Sequence, residues 1–142
     1  MRRAEPVDAA VVRAVIVAAF APFAAVIGRP PAPMEADIPA LIAAGRVWLE
    51  DEGAGVLVCW PEGEVMILDI LAVRPEAQGR GLGARLVAEC EAQARRQGLA
   101  AVELYTNAAM ARAQQLYVRL GYSETGRGPH EGFQRVFYRK TL

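Results

Sequence analysis

The sequence predicts an α/β (α+β) fold in one domain, residues 1–142: a single mixed, mostly antiparallel sheet of six to seven strands with helices on both faces. Three observations predict it. From Arg46 onward the chain carries short apolar runs separated by tight turns, the pattern of neighbouring antiparallel strands. A strand, helix, strand unit between Glu64 and Thr106 is long enough to require a parallel, right-handed crossover. The chain then closes on a further pair of strands.

The elements follow in order. Residues 8–20 read as a helix, with Asp8 at its start and Val11, Val12, Val15, Ile16, Ala19 and Phe20 at three- and four-residue spacing. Ala21-Pro22-Phe23 weakens or ends it, and Gly28-Arg29-Pro30-Pro31-Ala32-Pro33 is a stiff loop. A short helix covers about Met34 to Ala44 and stops at Gly45. Val47–Leu49, Gly55–Trp60 and Glu64–Val73 are strands, the last two joined by Pro61-Glu62-Gly63. A helix from Gly83 to Gln97 buries Leu86, Val87, Cys90 and Ala94 and stops at Gly98. Strand Ala101–Thr106 leads to a helix over Met110–Leu120, stopped by Gly121. The segments Tyr122–Gly126 and Phe133–Arg139 form the final pair, with His130 in the loop between them.

Composition excludes several functions. Sixteen basic and 16 acidic residues balance, which argues against nucleic acid or an anionic membrane as the main partner. Cys59 and Cys90 lack the clustered partners of a disulfide framework or a metal site, so buried free thiols and no metal are expected. Their placement suits a reducing cytoplasm. The N-terminal residues make a poor signal peptide, and no run of about 18 apolar residues lacks a charge.

The chemistry concentrates between Leu71 and Ala84. An apolar strand ends in a glycine-punctuated loop that opens directly into a helix. Gly79, Gly81 and Gly83 leave the backbone N–H groups of residues 79–84 accessible, and the helix start adds its own unpaired N–H groups and positive dipole end. Such a loop is a phosphate receptor. A nucleotide P-loop would need Lys-Ser or Lys-Thr where Ala84-Arg85 stands. Gly79-Arg80-Gly81-Leu82-Gly83-Ala84 formally satisfies the dinucleotide pattern, with Glu103 about 20 residues beyond. Two features count against that reading: Arg74 to Gln78 intervene before the first glycine, and Glu103 begins its strand instead of ending it.

The spacing Gln78-x-x-Gly81-x-Gly83 after Arg74-Pro75 resembles the acyl-CoA loop of the GNAT superfamily of N-acetyltransferases. Leu116-Tyr117-x-x-Leu120-Gly121-Tyr122 resembles that superfamily's second signature. Gly132-Phe133-x-Arg135-Val136-Phe137-x-x-Lys140 and Ile27-Gly28-Arg29-x-Pro31-Ala32-Pro33-Met34 look like a bacterial subgroup of it. The resemblance implies the acyl-CoA N-acyltransferase fold, with acetyl-CoA as donor and an amine of a small molecule or peptide as acceptor. It also allows a homodimer. In its terms the backbone of Leu71, Ala72 and Val73 receives the pantetheine arm, and Gly79, Arg80, Gly81, Leu82, Gly83 and Ala84 hold the pyrophosphate. Gln78 fixes the loop, and Arg80 or Arg85 adds charge.

Further along, Tyr117 matches the tyrosine that protonates the departing thiolate, and Ala113 the small residue one turn before it. Met110 stands where the family often has an asparagine that contacts CoA, so Asn107 is a secondary cofactor candidate beside a capping role. Asp69 interrupts an apolar strand two residues before Leu71 and is the first candidate for general base, with Glu103 second. An acyl-CoA-binding sensor or interaction module with little catalysis is the alternative function. Trp48, Trp60, Phe20 and Phe23 are core candidates, one or two of them lining an acceptor pocket with the Pro30–Pro33 loop.

Overall fold

The computed structural model describes residues 1–142. Its first half runs β1 (Arg2–Arg3), α1 (Ala9–Phe20), α2 (Ala24–Ile27), α3 (Ile38–Ala43), β2 (Val47–Leu49), β3 (Gly55–Glu62) and β4 (Val65–Val73). The second half runs α4 (Leu82–Arg96), β5 (Ala101–Asn107), α5 (Ala111–Arg119), β6 (Ser123–His130) and β7 (Phe133–Thr141). All seven strands belong to one sheet in the order β1-β2-β3-β4-β5-β7-β6, and only β4 and β5 run parallel.

Alternation along the strands builds a core on each face. Leu57 and Cys59 point to the face covered by α4, with its Leu82, Leu86, Val87 and Cys90, and by Tyr117 of α5. Val56 and Val58 point to the other face, covered by Val12, Val15 and Ile16 of α1 and by Ile38 and Ile42 of α3. Each such side chain, buried completely, contributes about 1.5–3 kcal/mol. Both cysteines are buried free thiols.

One irregularity in the sheet opens the cleft. Val58 pairs with Ile70 but Cys59 with Leu68, which leaves Asp69 outside the register as a β-bulge. The bulge bends β4, and its pairing with β5 stops there: Val65 to Leu68 lie against Ala101 to Leu104, and no pair follows. Beyond that point β4 continues to Val73 beside β3, while β5 continues to Asn107 beside β7. The sheet therefore splits, and two unpaired strand edges face each other across a cleft.

Several sequence expectations need correction. Asp8 makes no side-chain cap on α1; it accepts from the Glu5 N–H at 2.7 Å and holds the Arg2 guanidinium at 2.7 and 2.8 Å. The second helix begins at Ile38, because Asp37 caps it through the Ala40 N–H at 3.1 Å, and residues 32–35 form a separate 3₁₀ turn. His130 ends β6 instead of lying in a loop, and only Glu131 and Gly132 turn the chain into β7. Pro129 is tolerated because β6 is the edge strand, where a missing N–H costs no ladder bond. The two-residue β1 was not expected.

The segment Pro6–Ile27 is a nearly continuous helical stretch of 22 residues with mean hydropathy 2.3, enough by length and composition to cross a membrane. In the fold its inner side packs on the sheet through Val12, Val15 and Ile16. Arg13 within it donates to the carbonyls of Met34 and Ala36 at 2.9 and 2.8 Å. Pro22 sits in a 3₁₀ turn between α1 and α2, so the proline weakens the helix without ending it.

Candidate functional site

The cleft between β4 and β5 has a loop end and an inner end. At the loop end β4 runs out at Val73, and the Gln78 side-chain amide donates to the Val73 carbonyl at 3.1 Å, tying the loop back to the strand. Gly79 and Gly81 adopt φ of +81° and +77°, values that a Cβ disfavours. Gly81 is also the N-cap of α4. No backbone or side-chain acceptor takes the N–H groups from Gly79 to Ala84. Arg80 and Arg85 are exposed beside them. Gly83 differs from the other two glycines. Its φ is an ordinary helical one, and a Cβ there would lie 3.3 Å from Leu116 Cδ2, so it serves the approach of α4 to α5.

Along the cleft wall, α5 contributes Ala113 and Tyr117. Tyr117 is 5% exposed and packs edge-on against Tyr122, with ring centres 5.8 Å apart. Burial raises its phenol above the usual value, so it keeps its proton. Asn107 lies on the wall, but its Oδ1 accepts from the Ala109 N–H at 2.9 Å and closes a turn before α5. Met110, not Asn107, takes the N-cap position, and it too faces the cleft.

The inner end is made of side chains. Asp69, at the bulge, and Leu71 both line the cleft. Burial lifts the Asp69 carboxyl above its ordinary range, opposed by a hydrogen bond from the Tyr105 hydroxyl at 3.3 Å and by the charge of Arg135. Tyr105 is itself pushed up to about 12, by burial and then by the Asp69 charge. The Arg135 guanidinium lies 4.1 Å over the Tyr105 ring and 5.1 Å from that of Phe133. Its Nη1 donates to His130 Nδ1 at 2.7 Å. Arginine has no lone pair to offer, so the histidine accepts there and carries its proton on Nε2.

A clamp roofs this end. Arg29 lies 4.2 Å over the Phe133 ring, and a Cβ on Gly132 would sit 2.8 Å from Arg29 Nη1. That contact ties the proline loop to the β6–β7 hairpin and sets Pro31, Ala32 and Pro33 on the cleft, which Phe20 also lines. Trp48 and Trp60 lie elsewhere, each under an arginine, Arg3 and Arg46.

The structure thus brings Asp69, Leu71, Asn107, Ala113 and Tyr117 together on one cleft. It does not bring Glu103 there: Glu103 is the third residue of β5 and pairs with Arg139 at 2.6 Å. Tyr105 and Arg135 were not predicted as site residues. A signal for Arg135 existed, because it interrupts an apolar strand in step with Phe133 and Phe137. Tyr105 offered none.

Residues 18–122 match the profile of the acetyltransferase (GNAT) family. Over 83 residues the chain is 37% identical to the mycothiol acetyltransferase of Beutenbergia cavernae, covering 54% of this chain and 28% of that protein's length. A GNAT-family protein from Desulfovibrio desulfuricans superposes with a TM-score of 0.77 at 25% identity, over 99% of this chain and 96% of that one. The PaiA N-acetyltransferase of Thermoplasma acidophilum, solved with coenzyme A, gives 0.78 at 15% identity, over 99% and 97%. The ribosomal-protein-S18-alanine N-acetyltransferase of Escherichia coli gives 0.72 at 19% identity, over 98% and 90%. At the identities of these last two, the likeness establishes a shared fold.

Proposed function

The chain belongs to the GNAT family of acetyltransferases, and on that premise we propose that it moves an acetyl group from acetyl-CoA to a primary amine by direct transfer, residues 1–142 acting as one N-acetyltransferase domain. One observation carries the reading: the free edge of β4 leads from a half-buried carboxylate at Asp69, past Tyr117, to a loop whose N–H groups have no partner.

The residues present fit the donor. The N–H groups from Gly79 to Ala84 suit a pyrophosphate, and nothing lies within 4 Å of where a Cβ would stand on Gly79 or Gly81. The main chain of Leu71, Ala72 and Val73 on the β4 edge away from β3, the Val73 carbonyl taken by Gln78 excepted, suits the amides of a pantetheine arm, in the manner of an added strand. Ala113 and Asn107 flank that path, and Arg80 and Arg85 add positive charge at its outer end. When bound, acetyl-CoA supplies an acetyl group activated as a thioester.

This chain's own groups handle the protons. An alkylamine is mostly protonated at neutral pH, and Asp69 takes the proton that its nitrogen must lose. The acceptor nitrogen then forms the C–N bond as the carbon–sulfur bond breaks; the Tyr117 hydroxyl protonates the departing thiolate, and the second proton, which the nitrogen sheds on becoming an amide, passes to water. Exchange with water returns a proton to Tyr117 and removes one from Asp69. No covalent enzyme intermediate is required.

Incubation with acetyl-CoA and a panel of primary amines is expected to release free CoA thiol in step with acetylated amine, detected by mass. The second reading, a CoA-binding module with little catalysis, rests on Met110 standing where the family often has an asparagine. Calorimetric binding of CoA without turnover of any amine would favour that reading and contradict the first.

A further inference from the structure

Arg135 is 4% exposed, on a strand flanked on both sides, and the one acid in ion-pair contact with it is on the surface. Its ion-pair partner Glu131 lies 3.7 Å away on the hairpin turn and is 67% exposed, so water screens that pair. The faces of Tyr105 and Phe133 accommodate the flat sides of the guanidinium, and Nη1 donates to His130. Its Nε and Nη2 make no hydrogen bond. Yet no fully buried polar side-chain atom of the protein lacks a partner, so these nitrogens keep solvent contact, and the residue lines the cleft. A buried cation whose remaining donors open into a cavity is incomplete without an anion there.

Asp69 is the one acid lining the cleft, and Arg135 the one base. A single side chain spaces them: Tyr105 donates to Asp69 through its hydroxyl and carries Arg135 on its ring. Beside the uncharged Thr106 and Asn107, the remaining lining from Phe20, Pro31, Pro33, Leu71 and Phe133 is apolar. A simple alkylammonium would satisfy Asp69 and leave the Arg135 fork without an anion.

We propose that the acceptor is a free α-amino acid with an apolar side chain, its carboxylate held by the open fork of Arg135 and its amine presented to Asp69. A guanidinium offers parallel donors matched to a carboxylate. The inference rests on the N-acetyltransferase reading and narrows its acceptor.

The test compares each of several apolar L-amino acids with its primary amide and its decarboxylated amine, with acetyl-CoA as donor. The amino acids are expected to show a kcat/KM roughly 10- to 100-fold above their amides, the factor for a charge-assisted hydrogen bond. In Arg135→Gln that ratio collapses toward one through loss of the acids alone, while CoA binding, measured in parallel, reports that the fold persists. Arg135→Lys keeps the charge without the fork and retains part of the ratio; it also serves if the glutamine variant loses CoA binding. Amides and decarboxylated amines turned over as well as the acids would overturn this inference alone. Absence of turnover with every amine would overturn it together with the N-acetyltransferase reading.

Discussion

The two ends of the cleft are built from different material. The loop end consists of main chain: N–H groups from Gly79 to Ala84, the bare edge of β4, and one amide, Gln78, tying them together. The inner end consists of side chains from β4, β5 and β7, namely Asp69, Tyr105 and Arg135, under a roof pinned by Arg29. A main-chain site fixes a group that every donor molecule shares, and it constrains sequence only through backbone conformation. A side-chain site reads the acceptor and sets proton affinities, and it changes with each substitution. The bulge at Asp69 joins the two, because the same misregister that puts the carboxylate on the cleft frees the β4 edge beyond it.

The contrast can be broken at either end. The largest effect is expected at the inner end. Asp69→Asn should lower kcat/KM for the amine by roughly 10²–10⁴ with little change in CoA affinity. The pH profile carries the sign. Burial raises the Asp69 carboxyl, so it holds its proton to higher pH than an exposed aspartate, and only its ionised form accepts the amine's proton. Wild-type activity should therefore fall as pH drops through that raised value, and Asp69→Asn should lack that limb. A variant with wild-type rate and profile would reduce Asp69 to a partner for Tyr105. A smaller effect is expected at the loop end. Gly81→Ala forces a Cβ into φ +77°, which costs about 1–2 kcal/mol, or roughly 5- to 30-fold in CoA dissociation constant. Its kcat at saturating acetyl-CoA should stay near wild type. A change in kcat without a change in CoA affinity would contradict the division between the two ends.

The same division explains what the sequence discloses. The loop end is contiguous, so its glycine spacing can be read directly, as can Leu116-Tyr117 on one helix. One glycine misleads, since Gly83 answers to Leu116 and not to a left-handed turn. The inner end depends on register. Tyr105 lies opposite Phe137, and Asn107 opposite Arg135, across a pairing that joins residues 28 or more apart. Nothing local to Tyr105 announces an arginine on its ring. Asp69 was legible because a charge inside Val65-Met66-Ile67-Leu68-Asp69-Ile70-Leu71 needs a reason; that the reason includes a bulge emerges only from the pairing with β3. The proline roof was visible as a stiff loop, but its closure depends on Arg29 meeting a hairpin more than 100 residues away.

In the proposed function, one cleft holds a CoA thioester by main chain at one end while Tyr117 supplies the proton beside it. Tyr117→Phe separates these functions with the loss of one oxygen. Measured together by calorimetry and thiol release, the variant should bind CoA within about twofold of wild type and turn over roughly 10²-fold more slowly or worse. Unchanged turnover with intact binding would contradict the claim.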